Sequence, residues 1–79
     1  MTHNDILKLI FDVLKNNDIT ISDGSVFNQM SSIAFLDFLL EMEYILNIDG
    51  NLLDIQKLKG SAEELAAYFQ AVIKGETNV

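Results

Sequence analysis

The sequence predicts an all-α fold, a small bundle with three longer helices, one short helix and a long first loop. Apolar residues recur at helical spacing in three separate stretches, polar capping residues precede these stretches, and the chain contains no proline. A chain of 79 residues forms one domain at most, so we expect residues 1–79 to be a single helical domain.

The first stretch predicts a helix from the first residues to about Lys15, with Thr2 or Asn4 as its cap. Its apolar face consists of Ile6, Leu9, Ile10, Val13 and Leu14. Residues 17–30 follow as a long connection, in which Ile19 and Ile21 alternate with polar residues before Asp23 and Gly24. A lone strand would have no pairing partner, so we expect an ordered loop held to the helices by apolar side chains, namely Ile19, Ile21, Val26 and Phe27. Loops of this length in small domains are often functional.

The second helix is predicted within the stretch from Ser31 to Ile48, which is too apolar for a simple surface helix. Wound at about 100° per residue, it has a core face of Phe35, Phe38, Leu39, Met42 and Leu46. A second apolar stripe of Ile33, Leu40 and Tyr44 is interleaved with Asp37 and Glu41. Either a neighbouring segment of the chain covers this second stripe or a partner protein does.

The rest of the chain predicts a turn at Asp49 and Gly50, a short helix near 54–58, and a last helix that starts at Ser61. Ser61 and Glu64 have the spacing of a capping box. Lys74 and Gly75 predict the end of this helix, and we expect residues 76–79 to be frayed.

Charge and composition exclude several classes of function. The net charge is −7, with twelve acidic residues against five lysines, which counts against nucleic-acid binding and against anionic membrane surfaces. No apolar run reaches the ~18 residues of a membrane span. The absence of cysteine and of a signal-peptide pattern predicts a cytoplasmic protein. The only histidine, His3, lacks a fixed neighbour, and no catalytic or metal-binding cluster is present, so we expect no enzyme activity.

The order of these elements resembles that of the acyl carrier protein family, which includes the peptidyl carriers of non-ribosomal synthesis. Residues 27–33, which end in Ser31-Ser32-Ile33, are similar to the family's stretch ending in Asp-Ser-Leu. The second helix and its end match the family's apolar and acidic positions at Leu36, Leu39, Met42, Glu43 and Leu46-Asn47-Ile48. The segment 58–61 is similar to the family's approach to its last helix, so the resemblance covers nearly the whole chain.

The resemblance implies an acyl-carrier-like four-helix bundle in which Ser32 carries 4′-phosphopantetheine, and the length of the chain suggests a free-standing carrier. The terminal thiol of that arm would hold an acyl or aminoacyl group as a thioester, in fatty acid, polyketide or non-ribosomal peptide type biosynthesis. The implied partners are a phosphopantetheinyl transferase, a loading ligase, and synthase or transferase enzymes with basic docking surfaces. The monomeric carrier would present to them the surface formed by Ile33, Asp37, Leu40, Glu41 and Tyr44.

The chain departs from the family at the residue before Ser32. Ser31 stands where the family has Asp, or often His in peptidyl carriers, and the family's preceding Gly is replaced within Asn28-Gln29-Met30. Ser31 is therefore an alternative attachment residue, although the spacing to Leu36 and Leu39 favours Ser32. The missing acidic residue before Ser32 implies that phosphopantetheine attachment is slow, that it needs a dedicated transferase, or that the protein stays unmodified. The alternatives are an unmodified carrier-like interaction module and a helical scaffold that dimerises through the second stripe.

Overall fold

The computed structural model describes residues 1–75, and most of these residues lie in three α-helices. The helices are α1 at His3–Asn16, α2 at Ser32–Leu46 and α3 at Ala62–Lys74. The part of the chain that the structure describes contains no β-strand, which confirms the prediction of an all-α fold. The expectation about residues 76–79 lies outside the described residues.

Each α-helix begins at the side-chain cap that local sequence chemistry favours. The Thr2 hydroxyl accepts a hydrogen bond from the Asp5 N–H at 3.2 Å, and the Asp5 carboxylate accepts one from the Thr2 N–H at 3.0 Å. Thr2, rather than Asn4, is therefore the cap of α1. Ser61 and Glu64 form the same reciprocal pair at the start of α3, so the predicted capping box is confirmed.

The core lies between the three helices, with α1 packed most extensively against α3. The inward face of α2 is the predicted one, because Phe35, Phe38, Leu39 and Met42 are buried and Leu46 is partly buried. The other buried residues are Ile6, Ile10, Val13, Leu14, Val26, Leu58, Ala62, Leu65, Ala66, Tyr68 and Phe69. All of these side chains form one apolar cluster.

The connection between α1 and α2 is an ordered loop, as the sequence predicted. Val26 is fully buried, and Ile19, Ile21 and Phe27 are partly buried against the core. The Val26 N–H donates a hydrogen bond to the carbonyl of Gly60 at 3.0 Å, which joins this loop to the segment before α3. One short 3₁₀ helix, Phe27–Gln29, leads towards α2.

The segment between α2 and α3 contains two short 3₁₀ helices, Gly50–Leu52 and Ile55–Leu58. The short helix predicted near 54–58 is thus present as a 3₁₀ helix of four residues. Tyr68 of α3 holds this segment, because its hydroxyl accepts a hydrogen bond from the Asp54 N–H at 2.8 Å and donates one to the Leu52 carbonyl at 3.5 Å. None of the helices in residues 1–75 has the length and apolar character needed to cross a membrane.

Candidate functional site

The two serines at the start of α2 have different structural roles. Ser31 is the cap: its backbone is extended, and its hydroxyl accepts a hydrogen bond from the Ala34 N–H at 3.1 Å. Ser32 is the first residue of the helix and is exposed to solvent. Ser31 therefore makes the capping hydrogen bond, whereas Ser32 is accessible and has no capping role.

The start of α2 is held by aromatic contacts with the preceding loop. The rings of Phe27 and Phe35 meet edge to face, with centroids 5.0 Å apart, and Phe35 also lies 5.8 Å from Phe38. The Lys59 ammonium lies 5.6 Å from the centroid of the Phe27 ring. These contacts fix the first turn of α2, and with it the position of Ser32, relative to the core.

A phosphate ester on Ser32 fits the groups that surround this residue. The first N–H groups of a helix have no carbonyl partner within the helix, and only that of Ala34 is bonded by the Ser31 hydroxyl. The first turn of α2 contains no acidic residue, so no nearby carboxylate on this turn opposes a negative charge. The positive end of the helix dipole also favours an anion at this position.

The outer face of α2 is an exposed apolar surface. The exposed fractions are 74% for Ile33, 62% for Leu40 and 87% for Tyr44, so no other part of residues 1–75 covers the second stripe. Asp37, one turn before Glu41, is exposed beside them. Leu40, Tyr44 and their neighbours Glu41 and Ile45 line a shallow depression.

Glu41 differs from the other residues of this face because it is half-buried and bonded. Its carboxylate accepts a hydrogen bond from the Asn17 side-chain amide at 3.0 Å. The same Asn17 amide donates to the Val13 carbonyl at 2.8 Å, at the C-terminal end of α1. Glu41 therefore links α1 to α2 as well as bordering the outer face.

The sequence prediction missed two members of this face, Leu36 and Ile45. Leu36 is 54% exposed and Ile45 is 45% exposed. Leu36 lies three residues after Ile33 and four before Leu40, so the helical spacing already indicated its place on this side. We define the outer face of α2 as the following set: Ile33, Leu36, Asp37, Leu40, Glu41, Tyr44 and Ile45.

A further residue to which the sequence patterns assigned no structural role is Gln29, the last residue of the 3₁₀ helix before α2. Its side-chain amide makes four hydrogen bonds, all to Ser22 and Ser25 of the long loop. No spacing rule predicts bonds between residues seven apart in a loop, because they depend on the path of the backbone.

Residues 1–75 bring together no group of three His, Asp or Glu side chains able to hold a metal ion. Comparison of the chain with protein-family models, with curated proteins and with solved structures found no match. The function of this site therefore has to be inferred from its own residues.

Proposed function

We propose that this protein is an acyl carrier protein with an acyl-carrier-like helical bundle, and that Ser32 is the attachment residue for 4′-phosphopantetheine. The observation that supports the proposal best is an exposed serine at the first position of a helix whose outer face is apolar, acidic and uncovered. The attached group would supply a thiol for carrying an acyl or aminoacyl chain as a thioester. The protein itself would catalyse no reaction.

The Ser32 hydroxyl oxygen would attack the pyrophosphate phosphorus of coenzyme A that bears the pantetheine arm. A new O–P bond would form as the P–O bond to the nucleotide breaks and adenosine 3′,5′-bisphosphate leaves. The first turn of α2 carries no acidic residue, so a base of the transferase would take the hydroxyl proton. The free N–H groups of that turn would then face the phosphodiester charge. Ser31 is less suited to modification, since its hydroxyl already accepts the hydrogen bond that starts the helix.

The role of the outer face of α2 is to bind the enzymes that load, modify or unload the carrier. Asp37, Glu41 and Glu43 are the charged residues of α2, which contains no lysine or arginine, so this helix attracts basic docking surfaces. The exposed side chains of Ile33, Leu40 and Tyr44 would supply the short-range contact. Such contacts suit weak and rapid binding by a monomeric carrier that visits several enzymes in turn.

The proposal is tested by incubating the protein with coenzyme A and a broad-specificity phosphopantetheinyl transferase, and then measuring the intact mass. We expect one phosphopantetheine on the wild type and on Ser31→Ala, and none on Ser32→Ala. Addition to Ser32→Ala would move the site to another residue. Absence of any addition with every transferase tried would refute the proposal.

An unmodified carrier-like interaction module is the second candidate, and the neutral Ser31 before Ser32 favours it. In that case the outer face of α2 binds a stable partner without any attached group. Asp37→Lys or Tyr44→Ala would then abolish binding, whereas Ser32→Ala would leave binding intact. A requirement for Ser32 in binding would exclude this second candidate.

A further inference from the structure

The long loop is closed on itself by the side chain of one residue, Gln29. Its Oε1 accepts hydrogen bonds from the Ser22 N–H at 2.7 Å and from the Ser22 hydroxyl at 3.1 Å. Its Nε2 donates to the carbonyl of Ser22 at 2.9 Å and to that of Ser25 at 3.0 Å. Both ends of the amide are thereby used, and residues 22–29 form a ring closed by a side chain rather than by secondary structure.

This ring ends two residues before the cap of α2. Gln29 is the last residue of the 3₁₀ helix, Met30 continues in an extended conformation, and Ser31 then starts α2. Gly24 has a φ of +110°, a backbone conformation that suits glycine and lets the loop turn back towards Gln29. The Gln29 amide and the buried Val26 therefore both set the direction in which the chain enters Ser32.

We infer that Gln29 is a positioning residue for the modification of Ser32, an inference that rests on the proposed function. The transferase would bind the chain next to Ser32, so modification would require the preceding segment to lie in an arrangement that fits the transferase surface. Without the Gln29 amide, residues 22–30 would occupy that arrangement for only a fraction of the time. The apparent KM for the carrier would rise by the inverse of that fraction, while kcat would stay the same.

The experiment measures phosphopantetheinylation kinetics of the wild type, Gln29→Ala and Gln29→Glu, well below the temperature of unfolding. Gln29→Glu keeps the side-chain size and the oxygen that accepts from Ser22. It replaces the Nε2 group by a second oxygen, so the side chain can no longer donate hydrogen bonds to the Ser22 and Ser25 carbonyls. We expect KM to rise by about threefold or more in both variants, with kcat within about twofold of the wild-type value. Thr20→Ala, at an exposed position of the same loop outside residues 22–30, is the control and should match the wild type.

Hydrogen exchange of the Ser22 N–H provides a readout that does not depend on modification. We expect exchange about tenfold faster or more in Gln29→Ala than in the wild type, because the loop opens locally when the amide is removed. Normal KM values in folded variants would overturn the inference and leave the proposed function intact. A wild type that no transferase modifies would overturn both. Loss of the helical signal in both Gln29 variants would make Gln29 a folding residue and would also overturn the inference.

Discussion

The Ser31 hydroxyl accepts a hydrogen bond from the Ala34 N–H at 3.1 Å, and this bond determines where α2 begins. A cap of this kind satisfies one of the amides that a helix leaves without a partner at its start. The adjacent Ser32 is exposed and is not the cap. The two serines should therefore differ in their effects on stability.

The first prediction compares alanine substitutions at these two positions. Ser31→Ala should lower the free energy of unfolding by about 1 kcal/mol, because the helix loses its cap. Ser32→Ala should change it by less than about 0.5 kcal/mol. Urea unfolding followed by circular dichroism measures both values. A larger loss in Ser32→Ala than in Ser31→Ala would contradict the assigned roles.

The second prediction concerns an acidic cap. In Ser31→Asp the carboxylate can accept the same hydrogen bond, and its charge interacts favourably with the helix dipole, by about 0.3–1 kcal/mol at low ionic strength. We expect this variant to be at least as stable as the wild type. Under the proposed function it should also be modified faster by a broad-specificity transferase, because it restores the acidic residue that the resembled family has before its serine, and this gain should exceed any repulsion of the phosphate. Repeating the unfolding at high salt is the control, since screening should reduce the gain.

The third prediction separates the two faces of α2. Phe38 is buried and Leu40 is 62% exposed. Phe38→Ala should lower the free energy of unfolding by about 3–5 kcal/mol because it leaves a cavity in the core. Leu40→Ala should change it by less than about 0.5 kcal/mol and, under the proposed function, should weaken the binding of partner enzymes. Equal destabilisation by the two variants would show that another surface covers Leu40.

The fourth prediction concerns the tyrosine that holds the segment before α3. Tyr68→Phe removes the hydroxyl that accepts a hydrogen bond from the Asp54 N–H. We expect a loss of about 0.5–1.5 kcal/mol, the net contribution of a typical hydrogen bond, because this bond is partly buried and water can reach the freed N–H. Tyr44→Phe is the matched control, because Tyr44 is 87% exposed and should be nearly neutral. Similar unfolding midpoints for the two variants would be evidence against a holding role for Tyr68.

The fifth prediction concerns acid. The pKa of Asp5 lies below its ordinary value of 3.8. The largest cause is the hydrogen bond from the Thr2 backbone N–H, and the next is a hydrogen bond with the Thr2 hydroxyl. Because the pKa is lowered in the folded state, the stabilising contribution is present above the unfolded-state pKa and is lost as the pH falls through the folded-state pKa. Wild type should therefore unfold at a higher temperature than Asp5→Asn near neutral pH, with the difference shrinking at low pH. A difference that does not vary with pH would disprove this linkage.

The sequence predicted the three α-helices and the core face of α2 because repeating apolar positions and caps are local signals. The second stripe with Ile33 and Tyr44 was recognisable for the same reason, whereas its exposure was left open by the sequence and is shown by the structure. Whether a further segment covered them depended on the path of the chain, which periodicity does not encode.

Contacts between residues far apart in a loop or across helices were not predictable in this way. The bond from Asn17 to Glu41 spans 24 positions, and that from Asp54 to Tyr68 spans 14. The short element at Ile55–Leu58 was located correctly, but four residues contain too few turns for a sequence pattern to separate a 3₁₀ from an α-helix.

The division of α2 into a buried face and an uncovered face has a practical consequence for engineering. Positions 33, 36, 40 and 44 lie outside the core that holds the helices together, so they can be randomised together on an otherwise unchanged scaffold. Library members that avoid proline and glycine at these four positions should keep the folding behaviour of the parent chain, because no core contact changes.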